Sequence, residues 1–125
     1  MSYPSSDVPP QSGPTALTFA EIVSGAAVLG ATTSTQVVDT FLASAFRACK
    51  YILTVSQGST YQVTELLVLT DGTNTFLQVY GAMATPGVLI ADFSTTFADG
   101  AVTLSVALTT PVAGTLRFQA FRIFV

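Results

Sequence analysis

The stretch Val102-Thr103-Leu104-Ser105-Val106-Ala107-Leu108-Thr109, reached through the pair Asp99-Gly100, decides the fold. Val102, Leu104, Val106 and Leu108 alternate with Thr103, Ser105, Ala107 and Thr109. A strict period of two sends the first set to one face of a β-strand and the second to the other, so one face packs and one is wet. Asp99-Gly100 is a hairpin pair, because Asp and Gly accept the positive φ that a two-residue turn demands. Val88 to Phe97 is then the partner strand on the far side of that turn.

Working outward, the same grammar recurs. Asp71-Gly72-Thr73-Asn74 is a second turn, set between the apolar run Tyr61 to Thr70 and a returning strand Thr75 to Tyr80. Ala48 to Ser56, centred on Tyr51, Ile52, Leu53 and Val55, joins Tyr61 to Thr70 through Gln57-Gly58-Ser59 as a hairpin. Gly81 to Gly87, with Pro86, reads as a loop. Pro111 to Gly114 turns the chain into Thr115 to Phe124, with Leu116, Phe118 and Ala120 on one side and Arg117, Gln119 and Phe121 on the other. The early segments Thr15 to Val23, Ala26 to Ala31 and Gln36 to Ala43 carry weaker strand signals. Ala43, Ala45 and Ala48 would suit a helical turn over Asp39 to Arg47, whereas Val37, Val38, Thr40 and Phe41 favour extended chain, which is the expectation. Six regular strands with two or three before them predict an all-β, antiparallel two-sheet β-sandwich, jelly-roll or immunoglobulin-like in kind. A closed barrel needs the same alternation and stays open as the alternative.

With 125 residues and 13.0 kDa the chain is one domain by size. Residues 1–14 hold Pro4, Pro9, Pro10 and Pro14 among Ser, Gln and Gly, a composition that predicts an extended arm; residues 15–125 form the sandwich. Hydrophobic residues make up 50% and charged residues only 9%, against about 25% charged in an ordinary soluble domain. Seven acids and four cations must cover the surface, which the size law for monomers puts at about 6,300 Å². So bare a surface predicts self-association, a homo-oligomer with a trimer favoured.

The net charge is −3, and Arg47, Lys50, Arg117 and Arg122 are the only cations, so no basic footprint for nucleic acid is expected. Apolar stretches are interrupted well short of a bilayer span, and the polar, Pro-rich start does not read as a signal peptide; no membrane partner is expected.

Chemistry is hard to place. Histidine is absent, which removes the usual general base and the commonest metal ligand. Cys49 stands between Ala48 and Lys50, and neighbouring strand residues point to opposite faces, so Lys50 cannot hold its thiolate and a buried, inert thiol is expected. A carboxylate pair could work without histidine, and the candidates are Asp39, Glu65, Asp71, Asp92 and Asp99. Asp71 and Asp99 are accounted for by their turns, Glu65 by pairing across the sheet with a cation such as Lys50, and no spacing groups the five. Asp71, Thr73 and Asn74 offer oxygens to a calcium ion but lack the regular acid spacing of a dedicated loop. Tyr3, Tyr51, Tyr61 and Tyr80 are the only tyrosines, and of these Tyr61 and Tyr80 flank hairpins; stacking of sugars on them is weighed against packing at the sandwich rim, which is expected. No Gly-x-Gly or Gly-Lys-Ser/Thr pattern is present. The expectation is therefore no catalytic, cofactor-binding or metal-binding residue, no cofactor, and a chain that is not an enzyme.

Phe46-Arg47-Ala48-Cys49-Lys50-Tyr51-Ile52-Leu53-Thr54-Val55, then Tyr61-Gln62-Val63-Thr64-Glu65-Leu66-Leu67-Val68-Leu69, then Asp71-Gly72-Thr73 and Tyr80-Gly81, resemble a module of another kind. The string is similar to a β-sandwich module of virion structural proteins of tailed bacteriophages, especially those infecting cyanobacteria. The likeness runs more loosely through Thr110-Pro111 to Arg122 and leaves out the first third. It implies a virion structural protein made in the host cytoplasm, on the capsid surface as a decoration (cement) protein touching the major capsid protein or other virion proteins. The alternative is a tail-fibre, neck or baseplate module that binds receptor or glycan. The arm, Phe121 and Phe124 are the expected contacts.

Overall fold

The computed structural model describes residues 14–85 and 87–125. The expected arm, apart from Pro14, lies outside the described residues, as do Tyr3 and Pro86. Nine strands are found among the described residues: β1 Thr15–Ala16, β2 Ala20–Leu29, β3 Gln36–Leu42, β4 Phe46–Gln57, β5 Thr60–Thr70, β6 Thr75–Ala84, β7 Ala91–Ala98, β8 Ala101–Leu108 and β9 Gly114–Phe124. They form two sheets, one of six strands in the order β1-β2-β9-β4-β5-β6 and one of three in the order β3-β8-β7, with every pairing antiparallel. This is the expected two-sheet sandwich; the barrel alternative falls because the sheets stay separate.

The turn residues behave as their chemistry requires. Asp99 and Gly100 both take positive φ, 52° and 76°, and close the β7–β8 hairpin with Ala98 opposite Ala101. The alternation that decided the fold is seen directly: Val102, Leu104, Val106 and Leu108 are buried, and Leu116, Phe118 and Ala120 on β9 face them from the large sheet. Tyr51, Leu53 and Val55 of β4 and Leu66 and Val68 of β5 complete the centre of the core.

Four boundaries differ from expectation. The break between Val23 and Ala26 does not occur, because Gly25 lets β2 pass beneath the Phe118 ring; a Cβ there would stand 2.3 Å from Phe118 Cζ. Strand β7 starts at Ala91 and not at Val88, since the side chain of Gln62 replaces a neighbouring strand. Its Oε1 accepts from the backbone N–H groups of Ile90 (2.7 Å) and Ala91 (3.0 Å), and its Nε2 donates to Ala91 O (3.0 Å) and Thr64 Oγ1 (2.8 Å). Strand β6 continues past Tyr80 to Ala84, where a loop was expected; a register shift opposite Glu65 and Leu66 absorbs one residue, and Ala82 and Met83 resume pairing with Thr64 and Val63. The ambiguous segment is extended through Leu42, then turns over Ala43–Ala45, with Ala45 N–H donating to Leu42 O at 3.1 Å.

The core is not wholly apolar. Arg122 follows Leu116, Phe118 and Ala120 into the inward register and is buried. Its Nη2 lies 2.6 Å from Asp39 Oδ2, its Nη1 3.6 Å from Glu21 Oε1, and its guanidinium sits over the rings of Phe41 and Phe46 at 5.7 and 5.5 Å. Tyr51 donates its hydroxyl to the same Asp39 oxygen at 2.7 Å. Asp39 reaches this point because β3 shifts register against β8 between Val37 and Asp39.

Candidate interaction face

Each sheet turns one face to the core and one outward, and the two outward faces are unlike. On the small sheet β7 presents Asp92, Ser94 and Thr96, β8 presents Thr103 and Ser105, and Thr40 of β3 lies 3.4 Å from Thr103 through their hydroxyls. That surface is mostly short polar side chains, with Val37 and Leu42 of β3 exposed along one edge. On the large sheet Ile52, Val63, Leu69, Phe76, Phe121 and Ile123 point outward and are exposed. The cause is local: β4 and β5 carry apolar residues at both parities, so the residues left over from the core line the outside.

Two polar pairs on this face are engaged with one another, and Arg117 and Thr54 also point outward. Lys50 Nζ meets Glu65 Oε1 at 3.1 Å, the cross-sheet pairing expected for Glu65, and Ser24 donates its hydroxyl to Gln119 Oε1 at 2.7 Å. Four shallow clefts of about 370 to 450 Å³ lie along it. Ile52 stands between two of them, and Met83 between one of these and a third. Tyr61 and Tyr80 border the clefts at the β5–β6 end and are 52% and 62% exposed, so they do not pack into the rim as expected. Phe121 belongs to this face; Phe124 instead stacks on buried Phe46, with ring centres 5.2 Å apart.

The remaining candidates are scattered, with one exception. Cys49 is fully buried, and burial pushes its thiol up to about 11. Asp39 is spent on Arg122 and Tyr51, and Asp92 lies on the polar face. Asp71 is the turn residue its sequence predicts: Oδ1 accepts from the backbone N–H of Thr73 (2.9 Å) and Asn74 (2.7 Å), and these bonds hold its carboxyl well below the usual range. The exception is that the ends of two hairpins and the β3–β4 connection converge, so Asp71 and Asp99 line one cleft of about 440 Å³ together with Arg47 and Ser44. No spacing along the chain announces that meeting. Among the described residues no group of three His, Cys, Asp or Glu gathers as a metal site.

No family model matches the chain, and no curated protein matches it. Among solved structures it is similar to the tailspike protein of the Acinetobacter phage vB_ApiP_P1, with a TM-score of 0.51 at 15% identity over 94% of this chain and 24% of that one. It is also similar to the tailspike protein gp49 of the Acinetobacter baumannii bacteriophage Fri1, a capsular polysaccharide depolymerase, with a TM-score of 0.50 at 11% identity over 90% of this chain and 21% of that one. The chain thus spans about a quarter of the length of these tailspikes. At such identities the likeness establishes the fold. It also corrects the expectation that the chain is not an enzyme: the fold occurs within a depolymerase, and a missing histidine excludes only chemistry that needs one.

Proposed function

We propose that the chain is a structural module of a bacteriophage virion, carried in the tail apparatus as a tailspike or fibre component, and that it works assembled with further copies of itself. The observation that carries the reading is the sandwich shared with tailspike chains over 94% and 90% of this one. It favours the tail over the capsid decoration that the sequence resemblance implied, while both agree on the virion. The outer face of the large sheet supports assembly, since it is largely apolar with Lys50 and Glu65 paired to each other, and exposed apolar surface associates in water.

Gold-labelled antibody against the chain, applied to intact particles, tests the position. Labelling at the tail tip or spikes is the expected result; label spread evenly over the head returns the chain to the capsid. A second reading, a glycan-holding module, is favoured by the exposed rings of Tyr61 and Tyr80 beside their clefts. Retention of capsular polysaccharide by the immobilised chain, lost in Tyr80→Ala, is its test.

A further inference from the structure

We infer that the outer face of the large sheet is the seat of further copies of this chain, and that the interface is built from β2, β9, β4, β5 and β6 and not from the small sheet. The inference rests on the self-association in the reading above and is independent of where in the particle the chain sits.

Area is the first argument. Strands β2, β9, β4, β5 and β6 run ten to twelve residues each. At about 4.8 Å between strands and about 3.3 Å per residue the face measures roughly 24 by 33 Å, or about 800 Å². A standard stable interface takes about 800 Å² from each partner.

Charge selects the occupant. The chain carries −3, so copies repel wherever their acids meet. Among the described residues the acids other than Glu65 lie off this face: Asp92 is on the opposite sheet, Asp71 and Asp99 are on the turns at one end, and Asp39 and Glu21 are inside with Arg122. Glu65 is answered by Lys50 of its own chain. A copy therefore meets a copy here with no unpaired described acid between them, and a strongly charged foreign partner finds little field to read. Relief completes the case. Ile52 and Met83 stand as ridges between clefts whose walls set Ile22, Val63, Phe121 and the two tyrosines among Thr, Ser and the paired Lys50 and Glu65, so ridge and hollow share apolar surface, and the exposed tyrosines are the side-chain type that anchors buried interfaces.

The test uses the recombinant chain. Light scattering coupled to gel filtration, over a dilution series, should give a defined multiple of 13.0 kDa. Ile52→Lys and Phe76→Glu should each fall to the monomer mass with an unchanged far-ultraviolet circular dichroism spectrum, while Thr96→Lys on the small sheet keeps the parent mass. A parent that is monomeric throughout, or face variants that keep its mass, overturns the inference and leaves the tail placement untouched. Should a variant misfold, hydroxyl-radical labelling of the parent decides: Met83 and Tyr80 should be labelled several-fold less in the concentrated than in the diluted chain, and equal labelling overturns the inference. Saturable binding of polysaccharide at Tyr80 by the concentrated chain overturns it as well, since the face would then be open.

Discussion

Arg122, near the end of the last strand, holds Asp39 of β3 at 2.6 Å across the interior of the sandwich and so ties the two sheets together through a charge pair. Both side chains are nearly buried, at 11% and 13% exposure. Arg122 Nε is buried and has no partner among the described residues. Such a pair is a costly way to add stability, because two charges leave water, but once present it is hard to break from one side only.

The first prediction follows from that asymmetry. Asp39→Asn should destabilise the fold by about 3 kcal/mol, toward the lower end for a broken buried pair because Glu21 remains at 3.6 Å to share the guanidinium. The double variant Asp39→Leu, Arg122→Met should lose less than the sum of its single changes. Urea unfolding of the four proteins in a double-mutant cycle measures it, and strict additivity would show that the pair is not coupled.

Gln62 is the second case, a buried side chain doing the work of a missing strand. Gln62→Leu fits the space but leaves the N–H groups of Ile90 and Ala91 without the acceptor that now lies 2.7 and 3.0 Å away. Each buried, unsatisfied group costs about 1–3 kcal/mol, so a loss of about 3 kcal/mol is expected. Hydrogen exchange should quicken at those two amides well before global unfolding; unchanged exchange there would mean that water or a shifted strand replaces the glutamine.

Alkaline pH gives the third. Burial raises the Cys49 thiol from 9.0 to about 11 in the folded chain. The folded state keeps its proton where the unfolded state has lost it, so this stability is fully present below about pH 9 and declines as pH rises toward 11. A shift of that size corresponds to about 2–3 kcal/mol. Tyr51 is raised by burial too, and adds a decline in the same sense above pH 10. Denaturant melts from pH 8 to 10.5 should fall more steeply for the parent than for Cys49→Ala, and parallel curves would assign the decline elsewhere.

How far the sequence foresaw this depends on whether the deciding contacts were local. The hairpins at Asp71-Gly72 and Asp99-Gly100 and the inward faces of β8 and β9 were legible because turn chemistry and period-two alternation act over a few residues. Arg122 continues the inward register of Leu116, Phe118 and Ala120, so its burial was readable in principle, but its partner Asp39 lies 83 positions away at a register shift that no local pattern announces. The meeting of Asp71 and Asp99 in one cleft is likewise a product of topology. The interaction face did leave a trace: Tyr61 to Thr70 fails to alternate, and an apolar run on a sheet covered on one side only must present its surplus outward.

The last prediction concerns the close approach that lets β2 join the large sheet. Gly25 lies opposite Phe118 in the β2–β9 ladder, and an added Cβ would stand 2.3 Å from Cζ and 2.4 Å from Cε2 of that ring. The ring has little room to yield, because it is itself buried and packs edge-on against Tyr51 at 5.7 Å. Gly25→Ala should therefore cost about 1–3 kcal/mol, as overpacking of a filled core does. Gly81 is the control: it also sits in a strand of the large sheet, but nothing stands within 4 Å of its would-be Cβ. Gly81→Ala should be neutral or gain about 0.5 kcal/mol from the restricted unfolded chain. Combining Gly25→Ala with Phe118→Leu shortens the obstructing side chain, and the double variant should recover part of what Gly25→Ala alone loses; if thermal melts show the two losses simply adding, the ring is not what holds position 25 to glycine.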